Sequence, residues 1–317
     1  MAVNPYVFIV GCPRSGTTLL KRIVDAHPAV AITPETHWIP WRARAGRGIA
    51  ANGLVTAELC NVLFDYFRFP RLGITRDELT AIVASGVSYP EFVSAIFDLY
   101  GAKRGKRVVG DKTPPYVREI QLLHSWWPTA RFVHIIRDGR DVALSAVNWK
   151  SQAERFARRF STWRDEPIVT AALWWRRMVT LGREDGAALG PDLYLELRYE
   201  DLVDEPERES RRLCEFLDVP YDDAMLDFHA GRTKSDPGLT SKQAWLPVTA
   251  GLRDWRTQMD APDVARFEGA AGNLLAELGY ERAARGVPAD VAAEVARVAR
   301  LCEEDLPFRG AIPVGAA

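Results

Sequence analysis

Residues 6–26 constrain the fold more than any other part of the sequence. A short apolar run, residues 6–10, leads into a glycine-bearing loop, residues 11–18, and a helical pattern follows directly. A strand, a tight turn and a helix N-terminus aim several backbone N–H groups at one place, where the helix dipole adds positive potential. The segment therefore predicts an anion-binding cradle after a buried strand.

The loop departs from the triphosphate-binding pattern at one position. Its spacing matches GxxxxGK[ST], but Thr17 follows Gly16 where that pattern has lysine. In enzymes that use ATP or GTP, this lysine reaches the β and γ phosphates. Arg14, inside the loop, offers a planar fork for phosphate or sulfuryl oxygens instead. The loop thus favours a phosphate joined to a sulfate over a triphosphate, and a simple glycine turn is the alternative.

Short apolar runs alternate with helical patterns along the chain. The runs occupy residues 6–10, 107–109, 131–136 and 192–197. This alternation predicts an α/β fold, a P-loop-like parallel sheet flanked by helices on both faces. A helical insertion, residues 38–105, follows the first βα unit and is expected to cap the sheet edge. Helices within it are predicted at residues 56–67, 76–84 and 89–100.

The remaining sequence predicts one domain, residues 1–285, and a C-terminal helix and tail, residues 286–317. A long stretch without periodicity, residues 231–251, is typical of a functional loop. The arginine-rich run at residues 155–164 is typical of a solvated helix face.

Charge and composition exclude several classes of function. The chain has 41 basic and 42 acidic residues and a net charge of −1, so no global field draws it to nucleic acid. No run of about 18 apolar residues predicts a membrane span, and the N-terminal residues lack a signal-peptide pattern. Four scattered cysteines favour a reducing cytoplasm. The five histidines lack metal-ligand spacing, so no metal is expected.

A second anion site is predicted after the strand at residues 131–136. Arg137 leaves the end of this strand, and Ser145 lies eight residues farther on, about two turns along a helix. An arginine and a hydroxyl suit a phosphate monoester. Together with the loop, the pair predicts a ligand with two separate anionic ends.

These motifs resemble the sulfotransferases that use 3'-phosphoadenosine 5'-phosphosulfate, and among them the tyrosyl-protein sulfotransferase-like branch. The resemblance covers residues 6–280. It includes Pro13-Arg-Ser-Gly-Thr-Thr18, Glu35-Thr36, Gly110-Asp-Lys-Thr-Pro114, Arg137-Asp-Gly-Arg140, Tyr199-Glu-Asp-Leu202 and Leu278-Gly-Tyr280. The resemblance implies a parallel α/β fold with a nucleotide cleft.

The resemblance also implies catalytic roles. Many cytosolic members have histidine where this chain has Pro114, so the base is expected elsewhere, and the branch resemblance assigns it to Glu35. Burial beside a bound nucleotide is expected to raise the pKa of Glu35. Lys112 and Arg14 are expected to stabilise charge on the leaving oxygen.

The donor-binding residues implied by the resemblance come from four parts of the chain. Trp255 is expected to stack on the adenine, and Arg253 or Arg256 to reach the 3'-phosphate. The full set is Pro13, Arg14, Ser15, Gly16, Thr17, Thr18, Arg137, Ser145, Tyr199, Ser241, Arg253, Trp255 and Arg256.

The predicted reaction is direct transfer of a sulfuryl group to the hydroxyl of a small molecule or a tyrosine-like phenol. A P-loop kinase and a non-catalytic nucleotide-binding protein are the alternatives. The sequence leaves the acceptor open, and likewise association into a homodimer.

Overall fold

The structure is a computed structural model that describes residues 6–230, 254–283 and 286–305. Its centre is a sheet of five parallel strands in the order β2-β3-β1-β4-β5. The strands are β1 (Val7–Val10), β2 (Val30–Thr33), β3 (Val108–Lys112), β4 (Arg131–Ile136) and β5 (Tyr194–Arg198). The predicted α/β fold with a parallel sheet is confirmed.

Helices cover both faces of the sheet. They are α1 (Thr17–Ala26), α2 (Trp38–Ala45), α3 (Ala57–Phe64), α4 (Arg76–Ala84), α5 (Tyr89–Ala102), α6 (Ile120–Trp126), α7 (Gly139–Val147), α8 (Lys150–Arg159), α9 (Pro167–Leu189), α10 (Tyr199–Asp204), α11 (Pro206–Leu217), α12 (Trp255–Gln258), α13 (Ala261–Glu277) and α14 (Ala289–Asp305). Short 3₁₀ turns lie at Phe69–Leu72, Pro114–Arg118 and Asp223–Met225.

Alternate residues of the central strand enter two separate cores. Val7 and Ile9 pack in a core with α1 and α11. Phe8 and Val10 point to the opposite face, into a larger core with α5, α9 and α13. Because successive side chains of a strand point to opposite faces, a run that is apolar at every position requires cover on both sides.

One strand was missed by the sequence analysis. The predicted insertion does not directly follow the first βα unit, because β2 (Val30–Thr33) lies between them and the insertion joins β2 to β3. This strand has four residues, and it pairs with β3, far along the chain, with Val30 opposite Val108. A strand of four residues can be identified only from the strand with which it pairs, and that strand lies far away in the sequence. The predicted helices of the insertion are confirmed as α3, α4 and α5.

The strand order creates a crevice at the carboxyl ends of β1 and β4. The chain leaves β1 towards β2 and β3 on one side and then crosses to β4 on the other. Ligands of open α/β sheets bind at such a switch point. The loop after β1 and Arg137 after β4 therefore lie next to each other.

A buried arginine ties the start of α7 to the C-terminal helices. Arg140 donates hydrogen bonds of 2.7 Å to Asp138 and to Glu268 on α13, and another to the carbonyl of Glu281. Its guanidinium lies 3.6 Å from the centre of the Trp255 ring. Arg140 is fully buried, so water does not solvate its positive charge, and the two carboxylates neutralise it instead.

The C-terminal helix packs on the main core. Val295, Val298 and Cys302 of α14 are buried, and the helix contacts α9 and α13. Residues 231–251 lie outside the described residues, so the predicted functional loop stays a prediction. In the part of the chain that the structure describes, no helix has the length and apolar composition needed to cross a bilayer.

We expect Arg140→Ala to lower the free energy of unfolding by about 3 to 5 kcal/mol, because it leaves the buried carboxylate of Asp138 without its cation. The buried Glu268 loses its 2.7 Å ion pair in the same variant and keeps a longer contact of 3.8 Å to Arg282. Urea denaturation measures the change. Arg47→Ala is the matched control, since it breaks an exposed ion pair with Glu58 and should cost under about 1 kcal/mol. Equal losses in the two variants would contradict the assigned role of Arg140.

Candidate active site

The loop after β1 adopts the conformation of an anion cradle. Gly16 caps the N-terminus of α1 with a left-handed backbone, at a φ of 92°. A side chain here would be strained, and its Cβ would lie 2.3 Å from the ring of Tyr199. Glycine is therefore required at this position, and it lets the loop approach Tyr199 closely.

The loop holds an orphaned polar group. Ser15 is fully buried, and its hydroxyl oxygen has no hydrogen-bond partner among the described residues. Buried polar atoms are nearly always satisfied, so such an atom requires explanation. An anion seated at the N-terminus of α1 would accept this hydroxyl hydrogen. The residues present fit a phosphate or sulfuryl group.

Arg14 joins the two predicted anion sites. Its Nε donates a 2.8 Å hydrogen bond to the hydroxyl of Ser145 on α7. Its guanidinium also stacks on the ring of Trp149, 4.3 Å from the ring centre. Arg14 has a positive φ of 84°, an uncommon backbone conformation for a residue with a side chain. The fold thus directs this arginine from the loop across to the second site.

Arg137 lies on the other side of the same crevice. Its guanidinium lies 4.3 Å from the centre of the Tyr199 ring, and it donates a 2.9 Å hydrogen bond to Asp141. Asp141 in turn accepts a 2.9 Å hydrogen bond from the backbone N–H of Trp255. The ring of Tyr199 therefore contacts both Gly16 and Arg137, so the structure brings these three predicted donor-site residues together.

Glu35 and Lys112 form a direct ion pair. The Lys112 ammonium donates a 2.5 Å hydrogen bond to Oε1 of Glu35. The other carboxylate oxygen, Oε2, lies 3.0 Å from Nε2 of His37 and 3.5 Å from the guanidinium of Arg68. The two proposed catalytic groups lie together although 77 positions separate them in the chain. Both come from the carboxyl ends of neighbouring strands.

The predicted direction of the Glu35 pKa is wrong. Burial pushes this pKa upward, but the hydrogen bond from His37 and the charge of Lys112 outweigh burial and hold it well below its usual range. The carboxyl group is therefore ionised at neutral pH. The sequence analysis considered burial and nucleotide charge and did not foresee the cations around the carboxylate.

The backbone beside Glu35 is held by the turn that follows Lys112. The N–H of Thr36 donates a 3.0 Å hydrogen bond to Thr113, and the N–H of Ile39 donates a 3.1 Å hydrogen bond to the hydroxyl of Tyr116. Between these anchors, His37 has a left-handed φ of 57°. Such strain persists only where the surroundings fix the backbone, as they do here.

A family model for sulfotransferases matches residues 5–223. The chain belongs to the sulfotransferase family.

Relatives and solved structures agree with this membership. The protein-tyrosine sulfotransferase of Drosophila melanogaster is 27% identical over 284 residues, and the match covers 87% of this chain and 52% of the relative. Protein-tyrosine sulfotransferase A of Caenorhabditis elegans is also 27% identical over 284 residues, with 88% of this chain and 68% of the relative covered. This chain therefore spans between half and about two thirds of these relatives. The predicted resemblance to the tyrosyl-protein branch is confirmed.

One solved structure shows the same fold along nearly the whole chain. The sulfotransferase domain of the olefin synthase from Synechococcus PCC 7002 superposes with a TM-score of 0.56 at 23% identity. The superposition covers 96% of each chain. The P-loop-like sulfotransferase fold of this chain is thereby confirmed.

Only some of the predicted C-terminal donor-site residues of this sulfotransferase-family chain lie within the described ranges. Trp255 is buried with Arg140 against its ring, and Arg256 is exposed beside Asp254. Stacking of Trp255 on adenine stays a prediction. Ser241 and Arg253 lie outside the described residues. Of the remaining loop residues, Thr17 is buried and Pro13 and Thr18 are half-buried.

Three side chains at the site were missed by the sequence analysis. His37 and Arg68 contact Glu35, and Trp149 stacks on Arg14. His37 lies two positions after Glu35, and this proximity was the available signal. Arg68 comes from the insertion, and nothing in its local sequence distinguishes it from other surface arginines.

A buried carboxyl group beside Lys112 gives a pH-dependent stability. Burial raises the pKa of Asp111 to about 6, against the lowering effect of hydrogen bonds from Thr113 and Thr33. The folded protein therefore holds this proton more tightly than the unfolded chain does. The protonated Asp111 therefore adds to the free energy of unfolding below about pH 4, and this contribution is lost as the pH rises to about 6.

We expect Asp111→Asn to remove this dependence. Between pH 4 and pH 7, the wild-type protein should lose roughly 3 kcal/mol relative to the variant. Urea denaturation at a series of pH values measures the difference. Parallel profiles for the two proteins would show that Asp111 titrates normally.

Proposed function

We propose that the protein transfers a sulfuryl group from 3'-phosphoadenosine 5'-phosphosulfate to the hydroxyl of an acceptor. The hydrogen bond from Arg14 to Ser145 carries this proposal, because it makes one continuous anion site from the loop and the second phosphate position. A donor with a phosphosulfate at one end and a phosphate at the other matches such a site. Family membership supports the same reaction class.

Residues on both sides of the crevice would hold the donor. The loop N–H groups and the Ser15 hydroxyl would bind the phosphosulfate at the N-terminus of α1. Ser145 and Arg137 would bind the 3'-phosphate, and Arg14 would lie between the two anions. The donor itself supplies the sulfuryl group and a phosphate leaving group.

Glu35 would act as the base. Its carboxylate is ionised and partly exposed, so it can accept the proton of an acceptor hydroxyl as that oxygen bonds to sulfur. Two of its neighbours, His37 and Arg68, would hold Oε2 and thereby orient Oε1. This assignment follows the geometry and the branch resemblance.

Lys112 would stabilise the oxygen that leaves sulfur. It is almost fully buried and bound to Glu35, so its charge is fixed at the carboxyl end of β3. When Glu35 gains a proton, it loses its negative charge and its hold on Lys112 weakens. Proton uptake by Glu35 would therefore strengthen the pull of Lys112 on the leaving oxygen at the moment of transfer.

We expect Glu35→Ala to lower the turnover number by about a hundredfold or more, because the acceptor keeps its proton. The affinity for adenosine 3',5'-bisphosphate should stay nearly unchanged, since Glu35 is not placed in the donor site. Transfer assays and isothermal titration calorimetry measure the two quantities. Glu58→Ala, an exposed carboxylate on α3, is the matched control. Full activity of Glu35→Ala would remove Glu35 from the mechanism.

Nucleotide binding separates this proposal from a P-loop kinase. The loop has Thr17 where a kinase has lysine, so we expect tighter binding of adenosine 3',5'-bisphosphate than of ATP, with or without magnesium. Arg14→Ala should weaken the binding of the bisphosphate by about tenfold or more, because one charged group is lost at the anion site. Magnesium-dependent preference for ATP would overturn the proposal.

Donor hydrolysis or transfer to a test phenol would exclude a non-catalytic nucleotide-binding protein. Undiminished transfer in the presence of a metal chelator would support a reaction that needs no metal, and loss of activity would contradict it. A cytoplasmic location and a homodimer both remain predictions.

A further inference from the structure

A buried carboxylate on α7, that of Asp141, joins Arg137 to the start of α12. Its Oδ2 atom accepts a 2.9 Å hydrogen bond from Nη2 of Arg137. Its Oδ1 atom accepts a 2.9 Å hydrogen bond from the backbone N–H of Trp255. All three residues are buried. The sequence analysis gave Asp141 no role at the site.

The backbone of Arg137 is fixed independently of its side chain. Its carbonyl oxygen accepts a 3.2 Å hydrogen bond from the indole N–H of Trp175 on α9. Two positions later, Gly139 packs so closely that a Cβ atom there would lie 2.5 Å from the rings of Trp175 and Phe267. These contacts fix where the arginine side chain begins. They do not fix its guanidinium, because several rotatable bonds separate that group from the backbone.

Two side chains fix the guanidinium of Arg137. The ring of Tyr199 lies against its face, with the ring centre 4.3 Å away. Asp141 holds its edge through the hydrogen bond from Nη2. A contact on the face sets the plane of the group, and a hydrogen bond at the edge sets its rotation within that plane. The backbone N–H of Trp255 holds the carboxylate of Asp141 in turn.

A fixed guanidinium favours the binding of a phosphate monoester. Arginine binds phosphate oxygens in two parallel hydrogen bonds, which require the plane of the fork to be aligned with those oxygens. A side chain that is already aligned loses less conformational freedom when the ligand binds. Ser145 lies four residues after Asp141 on α7, so both side chains are on the same face of this helix. One helix would therefore supply both the hydroxyl for the 3'-phosphate and the group that aligns Arg137.

We propose that Asp141 is a positioning residue that aligns Arg137 with the 3'-phosphate and thereby sets a preference for nucleotides that carry this phosphate. This inference rests on the proposed function. The carboxylate would act through Arg137 without touching the ligand. A carboxylate near a phosphate also repels it, and the effect of that charge alone has the opposite sign. Experiment can therefore separate alignment from simple repulsion.

Calorimetric titration with two nucleotides measures the preference. Adenosine 3',5'-bisphosphate and adenosine 5'-monophosphate differ only in the 3'-phosphate, so the Kd of the monophosphate divided by that of the bisphosphate isolates this group. We expect Asp141→Asn to lower this ratio by about tenfold, because the amide nitrogen cannot accept the hydrogen bond from Arg137. Binding of the monophosphate should stay within about twofold. An unchanged or larger ratio would overturn the proposal.

A double-mutant cycle shows whether Asp141 acts through Arg137. Arg137→Gln alone should lower the ratio by about tenfold or more, because the charged fork is lost. Adding Asp141→Asn to that variant should change the ratio by no more than about twofold. A clear further fall would mean that Asp141 acts through the fold at large, and a clear rise would mean that it acts by repulsion. Either result contradicts the positioning role.

Two more variants control for folding and for the loss of charge. Asp141→Glu keeps the charge but moves the carboxylate by one methylene, so we expect a ratio between those of the wild type and Asp141→Asn. Glu207→Gln removes an exposed ion pair with Arg211 that has the same four-residue spacing on α11, and it should keep the wild-type ratio. Thermal melting of each variant checks folding. If Asp141→Asn does not fold, a wild-type ratio in folded Asp141→Glu rejects the proposal.

The wild-type titrations separate failure of this inference from failure of the proposed function. If the wild-type protein binds neither nucleotide, or binds both equally tightly, the proposed donor is wrong and the role of Asp141 falls with it. If the wild-type protein prefers the bisphosphate and folded Asp141→Asn keeps that preference, only the role of Asp141 is rejected. A preference that is lost in Asp141→Asn and unaffected by Glu207→Gln supports both.

Discussion

The site depends on the parallel pairing of β1 with β3 on one side and β4 on the other. Because all five strands run in the same direction, their carboxyl ends meet at one edge of the sheet. Each strand contributes a residue of the site at or just after that edge. These residues are Gly16 after β1, Glu35 after β2, Lys112 at the end of β3, Arg137 after β4 and Tyr199 after β5. The backbone of Gly11 also donates a hydrogen bond to the carbonyl of Pro114, which fixes the loop to the turn after Lys112.

Charged groups at this edge of the sheet form two neighbouring environments, one around the loop after β1 and one around Glu35. Around the loop, backbone N–H groups, Arg14 and Arg137 provide the positive potential that the proposed donor nucleotide, with its two anionic ends, would require. Around Glu35, three basic side chains surround one carboxylate. The hydrogen bond from His37 and the charge of Lys112 keep it ionised against the effect of burial. In the proposed mechanism Lys112 would act on both Glu35 and the leaving oxygen, so the charge of the proposed base and the charge available to the leaving group would be coupled. A buried network around Arg140 holds α7, which carries Ser145, in place against α13.

Much of this site could be predicted from the sequence because its parts are local motifs. The loop with Arg14 and Gly16, and the pair Arg137 and Ser145, each lie within a strand, a turn and a helix, whose order is visible in the residues. Three features were not predicted in this way. The strand β2 is too short to identify without its partner β3. The lowered pKa of Glu35 depends on a hydrogen bond from His37, which the fold turns back onto the carboxylate, and on Lys112, 77 positions away. The run at residues 155–164 was expected to be a solvated helix face, but Arg159 is half-buried, because other elements pack around α8.

The sequence by itself determined the alternation of strands and helices, the anion-binding loop and the membership of a family that uses such a loop. These follow from periodicity and from residue types at fixed short spacing, which act through neighbouring backbone atoms. Only the tertiary structure decided which charges meet. Pairing of β2 with β3 places Glu35 on Lys112, and the approach of α7 to the loop places Ser145 on Arg14. Charge–charge interactions depend on distance in space, and the folded sheet sets those distances.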